Sequence, residues 1–152
     1  MNEFSLQKAI ETRGEARKKG MVFALTNGCF DVLHPGHIEL LKHARSLGVY
    51  LIVAIDSDKK VAEMKGPDRP IFSQYDRSLM LKAIRYVDVV HVFDTKKDLE
   101  QLIESIQPDI LMVGSDWKGK EVVGFQYAKS VRFFDRIGEY STTKTIQGSS
   151  YR

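Results

Sequence analysis

Short apolar runs alternate with amphipathic stretches along this chain. Met21-Val22-Phe23-Ala24-Leu25, Tyr50 to Ile55, Val87 to Phe93, Ile110-Leu111-Met112-Val113 and Val131-Arg132-Phe133-Phe134 are strand-length and largely apolar, as expected of strands covered on both faces. Between them the apolar positions recur at helical spacing. Leu6, Ala9 and Ile10 share a face after a capping Ser5, and Gly14 weakens that helix and leaves its end open. Ile38, Leu40, Leu41, Ala44 and Leu47 form a second face, with Gly48 as its stop. Ser73 with Asp76 makes a capping-box-like start for a helix that carries Leu79, Met80, Ala83 and Ile84 inward. Thr95 or Asp98 opens another, with Leu99, Leu102, Ile103 and Ile106. The stretch from Asp56 to Phe72, with Gly66, Pro67 and Pro70, reads mainly as loop, and Ser141-Thr142-Thr143 as the start of a last short helix.

Strands separated by helices predict right-handed crossovers and a parallel sheet covered on both faces. The expected fold is one doubly wound α/β domain over residues 1–152, with residues 1–20 as an N-terminal helical extension. Ligands of such folds sit at the carboxyl ends of the strands. The polar, glycine-bearing loops gather on that edge: Asn27 to Gly36, Asp56 to Phe72, Gly114 to Gly124 and Asp135 to Tyr140.

Totals narrow the function. The 152 residues suit one hydrophobic core, and 43% hydrophobic with 28% charged content argues against disorder. The net charge of +3 is spread out, its longest run being Arg17-Lys18-Lys19. A nucleic-acid binder usually concentrates its charge more strongly, and a mild excess fits an anionic small molecule just as well. Cys29 is the single cysteine, so no intramolecular disulfide can form. Neither a signal peptide's apolar block nor a bilayer-spanning run is present, which gives a cytoplasmic expectation.

The sharpest chemistry lies between the first strand and the second helix. Gly28 lets backbone approach a bulky anion closely, and Pro35-Gly36 stand where that helix should begin. A helix start offers unpaired N–H groups and a positive dipole end. His34 and His37, three apart, can share a face of its first turn. Each imidazole can donate to a phosphoryl oxygen, more strongly when charged. As a bare pair, two such histidines are better read as capping the helix or facing solvent. With Cys29 and Asp31 they suggest zinc, but a second ligand cluster is missing. Neither a G-x-G-x-x-G fingerprint nor a P-loop is found.

Gly28-Cys29-Phe30-Asp31-Val32-Leu33-His34-Pro35-Gly36-His37 resembles the signature of the cytidylyltransferase-like nucleotidyltransferases, and the resemblance extends from Val22 to Ile146. Thr26 to His34 and Lys65-Gly66-Pro67-Asp68-Arg69-Pro70-Ile71 are similar to adenylyltransferases that activate D-glycero-β-D-manno-heptose 1-phosphate. Tyr75-Asp76-Arg77, Ile84 to Asp88 and Gly114 to Lys120 are at least as similar to glycerol-3-phosphate cytidylyltransferases, while Arg136 with Ser141-Thr142-Thr143-Lys144 is shared by both.

The resemblance implies a Rossmann-like fold and a reaction in which a substrate phosphate oxygen attacks the α-phosphorus of ATP or CTP and pyrophosphate leaves. It implies catalytic roles for His34, His37, Lys65 and Arg77, with Lys65 closing over the phosphates from a mobile loop and Arg77 touching a substrate phosphate. Nucleotide contacts are expected from Gly28, Cys29, Phe30, Asp31, Gly36, Gly114, Asp116, Arg136, Ser141, Thr142 and Thr143. Asp31 or Asp116 would touch a ribose or a magnesium-bound water, and Trp117 would border the base or pack under its loop. Mg2+ is expected to arrive with the phosphates rather than on dedicated protein ligands. The electropositive surroundings of Cys29 would lower its pKa, although the residue itself reads as packing. The acceptor is a phosphorylated sugar or alcohol, and the resemblance implies a homodimer without nucleic-acid or membrane partners. A kinase, if needed, would be a separate chain. The rival classes are a non-catalytic nucleotide-binding module and a dinucleotide-binding redox protein.

Overall fold

The computed structural model describes residues 5–47 and 50–152. The expected helix stop at Gly48 and the first four residues lie outside the described residues. The elements in chain order are α1 (Leu6–Lys18), β1 (Phe23–Gly28), α2 (Pro35–Leu47), β2 (Tyr50–Asp56), α3 (Asp58–Lys65), α4 (Gln74–Ala83), β3 (Val89–Phe93), α5 (Lys96–Ile106), β4 (Ile110–Gly114), β5 (Ser130–Phe134) and α6 (Thr142–Ile146). Two short 3-10 turns, Ser115–Trp117 and Phe125–Tyr127, lie between β4 and β5.

All five strands run parallel in the order β3-β2-β1-β4-β5. Alternate residues of each strand serve opposite faces. Phe23, Leu25, Ile52, Ala54, Leu111 and Val113 pack against α1 and α5 through Ala9, Ala16, Leu99, Leu102, Ile103 and Ile106. Ala24, Leu51, Val53, Ile55, Val90 and Met112 pack on the other face against Leu41, Ala44 and Leu81 of α2 and α4. This is the doubly wound Rossmann-like arrangement expected from the strand-helix alternation. The chain leaves β1 toward β2 on one side and reaches β4 on the other. The crevice between the carboxyl ends of β1 and β4 is therefore the topological switch point where such sheets take ligands.

Several local expectations change. The Asp56–Phe72 stretch is not mainly loop: Ser57 caps α3 by accepting from the Lys60 N–H at 3.2 Å, and only the residues after Lys65 are irregular. Gly14 does not end α1, because Ala9, Thr12, Arg13 and Ala16 form its buried face and hold it through Lys18. In α4 the inward face is Arg77, Ser78 and Leu81, whereas Leu79 is exposed. Thr95 and Asp98 act together, as N-cap and third residue of a reciprocal capping box.

Candidate nucleotide site

The loop from Cys29 to His34 carries the first cavity wall. Phe30 adopts φ +48°, an uncommon conformation for a residue with a side chain. Its ring turns back over Gly28, where an added Cβ would meet the ring at 3.1 Å. Phe30 thus leaves no room for a side chain at Gly28, which itself lies outside the cavity lining. The same ring packs on His37 with centroids 5.2 Å apart.

His37 and His34 lie face to face, centroids 3.8 Å apart and 22° from parallel. The His34 backbone N–H donates to His37 Nδ1 at 3.2 Å. That bond fixes the neutral ring's proton on Nε2. Burial, then the neighbouring His34, lowers the His37 pKa to about 3. Burial, then Arg136, lowers that of His34 as well. The free protein therefore presents neutral imidazoles; a bound anion would offset this depression. Tyr140 extends the stack on His34 at 5.9 Å. Gly36 has no room for a Cβ, which would lie 2.9 Å from the His34 ring and 3.4 Å from Tyr140 Cβ.

These groups border a cavity of about 370 Å³. Of the residues singled out in the sequence, Cys29, Phe30, Asp31, His34, Gly36, His37, Lys65, Gly114, Asp116, Arg136, Ser141, Thr142 and Thr143 all line it. Lys65 approaches as the last residue of α3, not from a loop. Arg136 arrives from the segment after β5 and bonds Asp116 at 3.2 Å, both side chains being mostly exposed. Such an exposed pair contributes little stability and yields easily to a ligand. Ser141 caps α6 by accepting from the Lys144 N–H at 3.3 Å, and Thr142 Oγ1 donates to the Val32 carbonyl at 3.1 Å, tying α6 to the β1 loop.

Three assignments need correction. Arg77 does not reach the cavity. It is fully buried, and its guanidinium donates to the carbonyls of Phe72, Cys29 and Asp56 and to Asp58 Oδ1 at 2.7–3.1 Å. It braces three loops beneath the site. Asp31 lines the cavity, but its carboxylate is spent: it accepts from Arg69 Nε at 2.8 Å and from the Ile71 and Phe72 N–H groups at 2.9–3.1 Å. These bonds hold its pKa below the usual value against the opposing effect of burial, the largest single influence on it. Of the two alternatives for Trp117, the base border is not met: the residue lines a separate small crevice with Asn27, Leu99 and Val122. The Cys29 thiol is pushed up to about 11, by burial first and then by Asp56, whose Oδ2 lies 3.4 Å from Sγ.

The cavity also holds residues that sequence reasoning passed over. Leu40, Phe134 and Ile137 give it an apolar part, Ser115 and Tyr140 a polar rim, and Arg69 a further cation. Arg69 stood inside the Lys65–Ile71 stretch without a role; its partner Asp31 is 38 residues away, so no local signal marked it. Among the described residues no group of three or more His, Cys, Asp and Glu side chains could hold a metal ion, and no helix is long and apolar enough to cross a membrane.

Residues 25–147 match the model of the cytidylyltransferase-like family. The chain is 45% identical over 133 residues to the bifunctional protein HldE of a Nitratiruptor species, covering 88% of this chain and 29% of that one. It is 46% identical over 143 residues to the bifunctional protein HldE of Campylobacter concisus, covering 94% and 30%. It therefore spans about 30% of the length of these relatives. Its fold is similar to that of the lipopolysaccharide core biosynthesis protein from Thermoplasma volcanium, with a TM-score of 0.60 at 24% identity over 80% of this chain and 100% of the other. With the family model spanning most of its length, the chain belongs to the cytidylyltransferase-like nucleotidyltransferases.

Proposed function

We propose that this chain transfers AMP from ATP to a sugar 1-phosphate of the heptose type, releasing pyrophosphate. The observation that carries the reading is the convergence of His34, His37, Lys65 and Arg136 on one cavity at the switch point of the sheet. The likeness to proteins named HldE, with the sequence resemblance to heptose 1-phosphate adenylyltransferases, supports the choice of donor and acceptor.

An acceptor phosphate has a second pKa of about 6, so its attacking oxygen is ionised at neutral pH without a protein base. The new bond joins that oxygen to the α-phosphorus, the bond to the bridging oxygen breaks, and pyrophosphate carries away the electron pair. The barrier is the approach of two anions and the charge on the leaving group, so positioning and preorganised donors matter most. Nε2–H of His37, its orientation fixed through Nδ1, suits the α-phosphoryl oxygens. Lys65 and Arg136, both lining the cavity, suit the outer phosphates. Leu40, Phe134 and Ile137 offer an apolar surface for a base or sugar.

Magnesium fits as a companion of the phosphates. Asp31 is fully engaged, and Asp116, mostly exposed and bonded to Arg136, is the cavity carboxylate able to accept from a metal-bound water. The ion would supply neutralising charge. A cytoplasmic location and a homodimer belong to the same reading; exposed Ile71, Phe72, Tyr75 and Leu79 offer apolar surface for a second copy.

A second reading, cytidylyl transfer from CTP to an alcohol phosphate, is favoured by the Gly114–Lys120 stretch. Pyrophosphate release measured with ATP and CTP in parallel, against sugar 1-phosphates and glycerol 3-phosphate, separates the two. Turnover with ATP and a heptose 1-phosphate is the expected result. Turnover confined to CTP, or none with any pair, contradicts it.

A further inference from the structure

Arg69 occupies the stretch between α3 and α4 and lines the cavity, yet the reaction above gives it no task. Its side chain is only 10% exposed. Nε donates to Asp31 Oδ2 at 2.8 Å, and Nη1 reaches Thr143 Oγ1 only at 3.4 Å. Nη2 is buried with no acceptor. A guanidinium carries five N–H donors, and a buried charged donor left unpaired is costly. Asp31 does not need the outer nitrogens, because the Ile71 and Phe72 N–H groups already fill its remaining positions. Nη1, held only by that long bond to Thr143 at the exposed side, is the donor left to the cavity. Lys65, Arg136 and the two imidazoles line the same cavity, which suits an anionic acceptor. A guanidinium anchored through Nε can aim a second nitrogen at a phosphoryl oxygen, which a single ammonium cannot do.

We infer that Arg69 is a phosphoryl-binding residue: anchored to Asp31 by Nε, it donates through Nη1 to an oxygen of the nucleotide's triphosphate tail. The inference rests on the nucleotidyl-transfer reading. It also gives one side chain a hold on three walls, since Asp31 belongs to the β1 loop, Arg69 to the α3–α4 stretch and Thr143 to α6.

The test is calorimetric titration of wild-type protein, Arg69→Lys and Arg69→Ala with inorganic tripolyphosphate, with ATP plus magnesium and with AMP, alongside melting curves. Lys18→Ala, an exposed charge change at the end of α1, is the control. Lysine keeps a cation beside Asp31, but its one nitrogen is taken there. Arg69→Lys should therefore melt close to wild type and bind tripolyphosphate and ATP ~10-fold or more weakly, with AMP affected far less. KM for ATP should rise more than kcat falls. Arg69→Ala should lose at least as much affinity; should it fail to fold, Arg69→Lys still decides. Wild-type affinity for tripolyphosphate in a folded Arg69→Lys protein overturns the inference alone, as does an equal loss for AMP and tripolyphosphate. Wild-type protein that binds neither ATP nor tripolyphosphate overturns the nucleotidyl-transfer reading as well.

Discussion

The backbone N–H of His34 donates to Nδ1 of His37, and the two rings stack at 3.8 Å. One histidine thus sets the tautomer of the other. Burial comes first in holding both rings neutral in the free protein, with Arg136 adding to it at His34 and His34 adding to it at His37. A neutral donor aimed by its own neighbour needs little reorganisation when charge develops on a phosphoryl oxygen.

The titration of His37 follows. Its pKa falls from the ordinary 6.5 to about 3, so the unfolded chain binds the proton first as pH drops. Stability contributed by the neutral ring is complete above about pH 6.5 and is lost between there and pH 3, with a slope of at most about 1.4 kcal/mol per pH unit for one group. Histidine NMR should show one ring that stays neutral through pH 5. Denaturant melts of His37→Asn should depend less on pH across that window. A His37 resonance with its midpoint near 6.5 would contradict the burial argument.

Gly36 separates placement from stability. In Gly36→Ala the new methyl would lie 2.9 Å from the His34 ring, inside any permitted contact. The ring must shift, and misplacement on the order of 1 Å can cost about 10²-fold in rate. The variant should keep a melting temperature near that of wild type and lose most of its turnover. Full turnover would show that the His34 ring position is dispensable.

Arg77 and Arg136 should behave oppositely. Removing the Arg77 side chain strands the carbonyls of Cys29 and Asp56 beneath the loops and leaves Asp58 without its partner. Arg77→Ala should be destabilised by about 2–6 kcal/mol in denaturant titrations, at about 1–3 kcal/mol for each stranded carbonyl. Arg136→Ala, which loses only an exposed pair, should melt like wild type with a raised KM for ATP. The reverse pattern would return Arg77 to the substrate.

Much of this was written in the sequence because the deciding interactions are local or periodic. The α5 face of Leu99, Leu102, Ile103 and Ile106 is buried as its spacing requires. His34, His37, Arg136 and the Ser141-Thr142-Thr143 turn meet because parallel strands place their following loops on one edge. The two arginines could not be sorted the same way. Arg77 is a brace because of carbonyls 48 and 21 residues away in the chain, and Arg69 reaches the cavity because Asp31, 38 residues away, holds it there. Letters alone do not carry those distances. Helix α3 was missed for a different reason: its single buried residue, Val61, leaves almost no apolar period to read, although Ser57 and Gly66 bracket it as caps.

The most direct test of the whole account compares wild-type protein and His37→Ala in one assay, following pyrophosphate and the nucleotide-linked product from ATP, magnesium and a heptose 1-phosphate. The account predicts one pyrophosphate per product in wild type, and turnover lower by ~10²-fold or more in a variant that melts normally. Equal turnover in the two proteins, or no nucleotide-linked product from wild type, would contradict it.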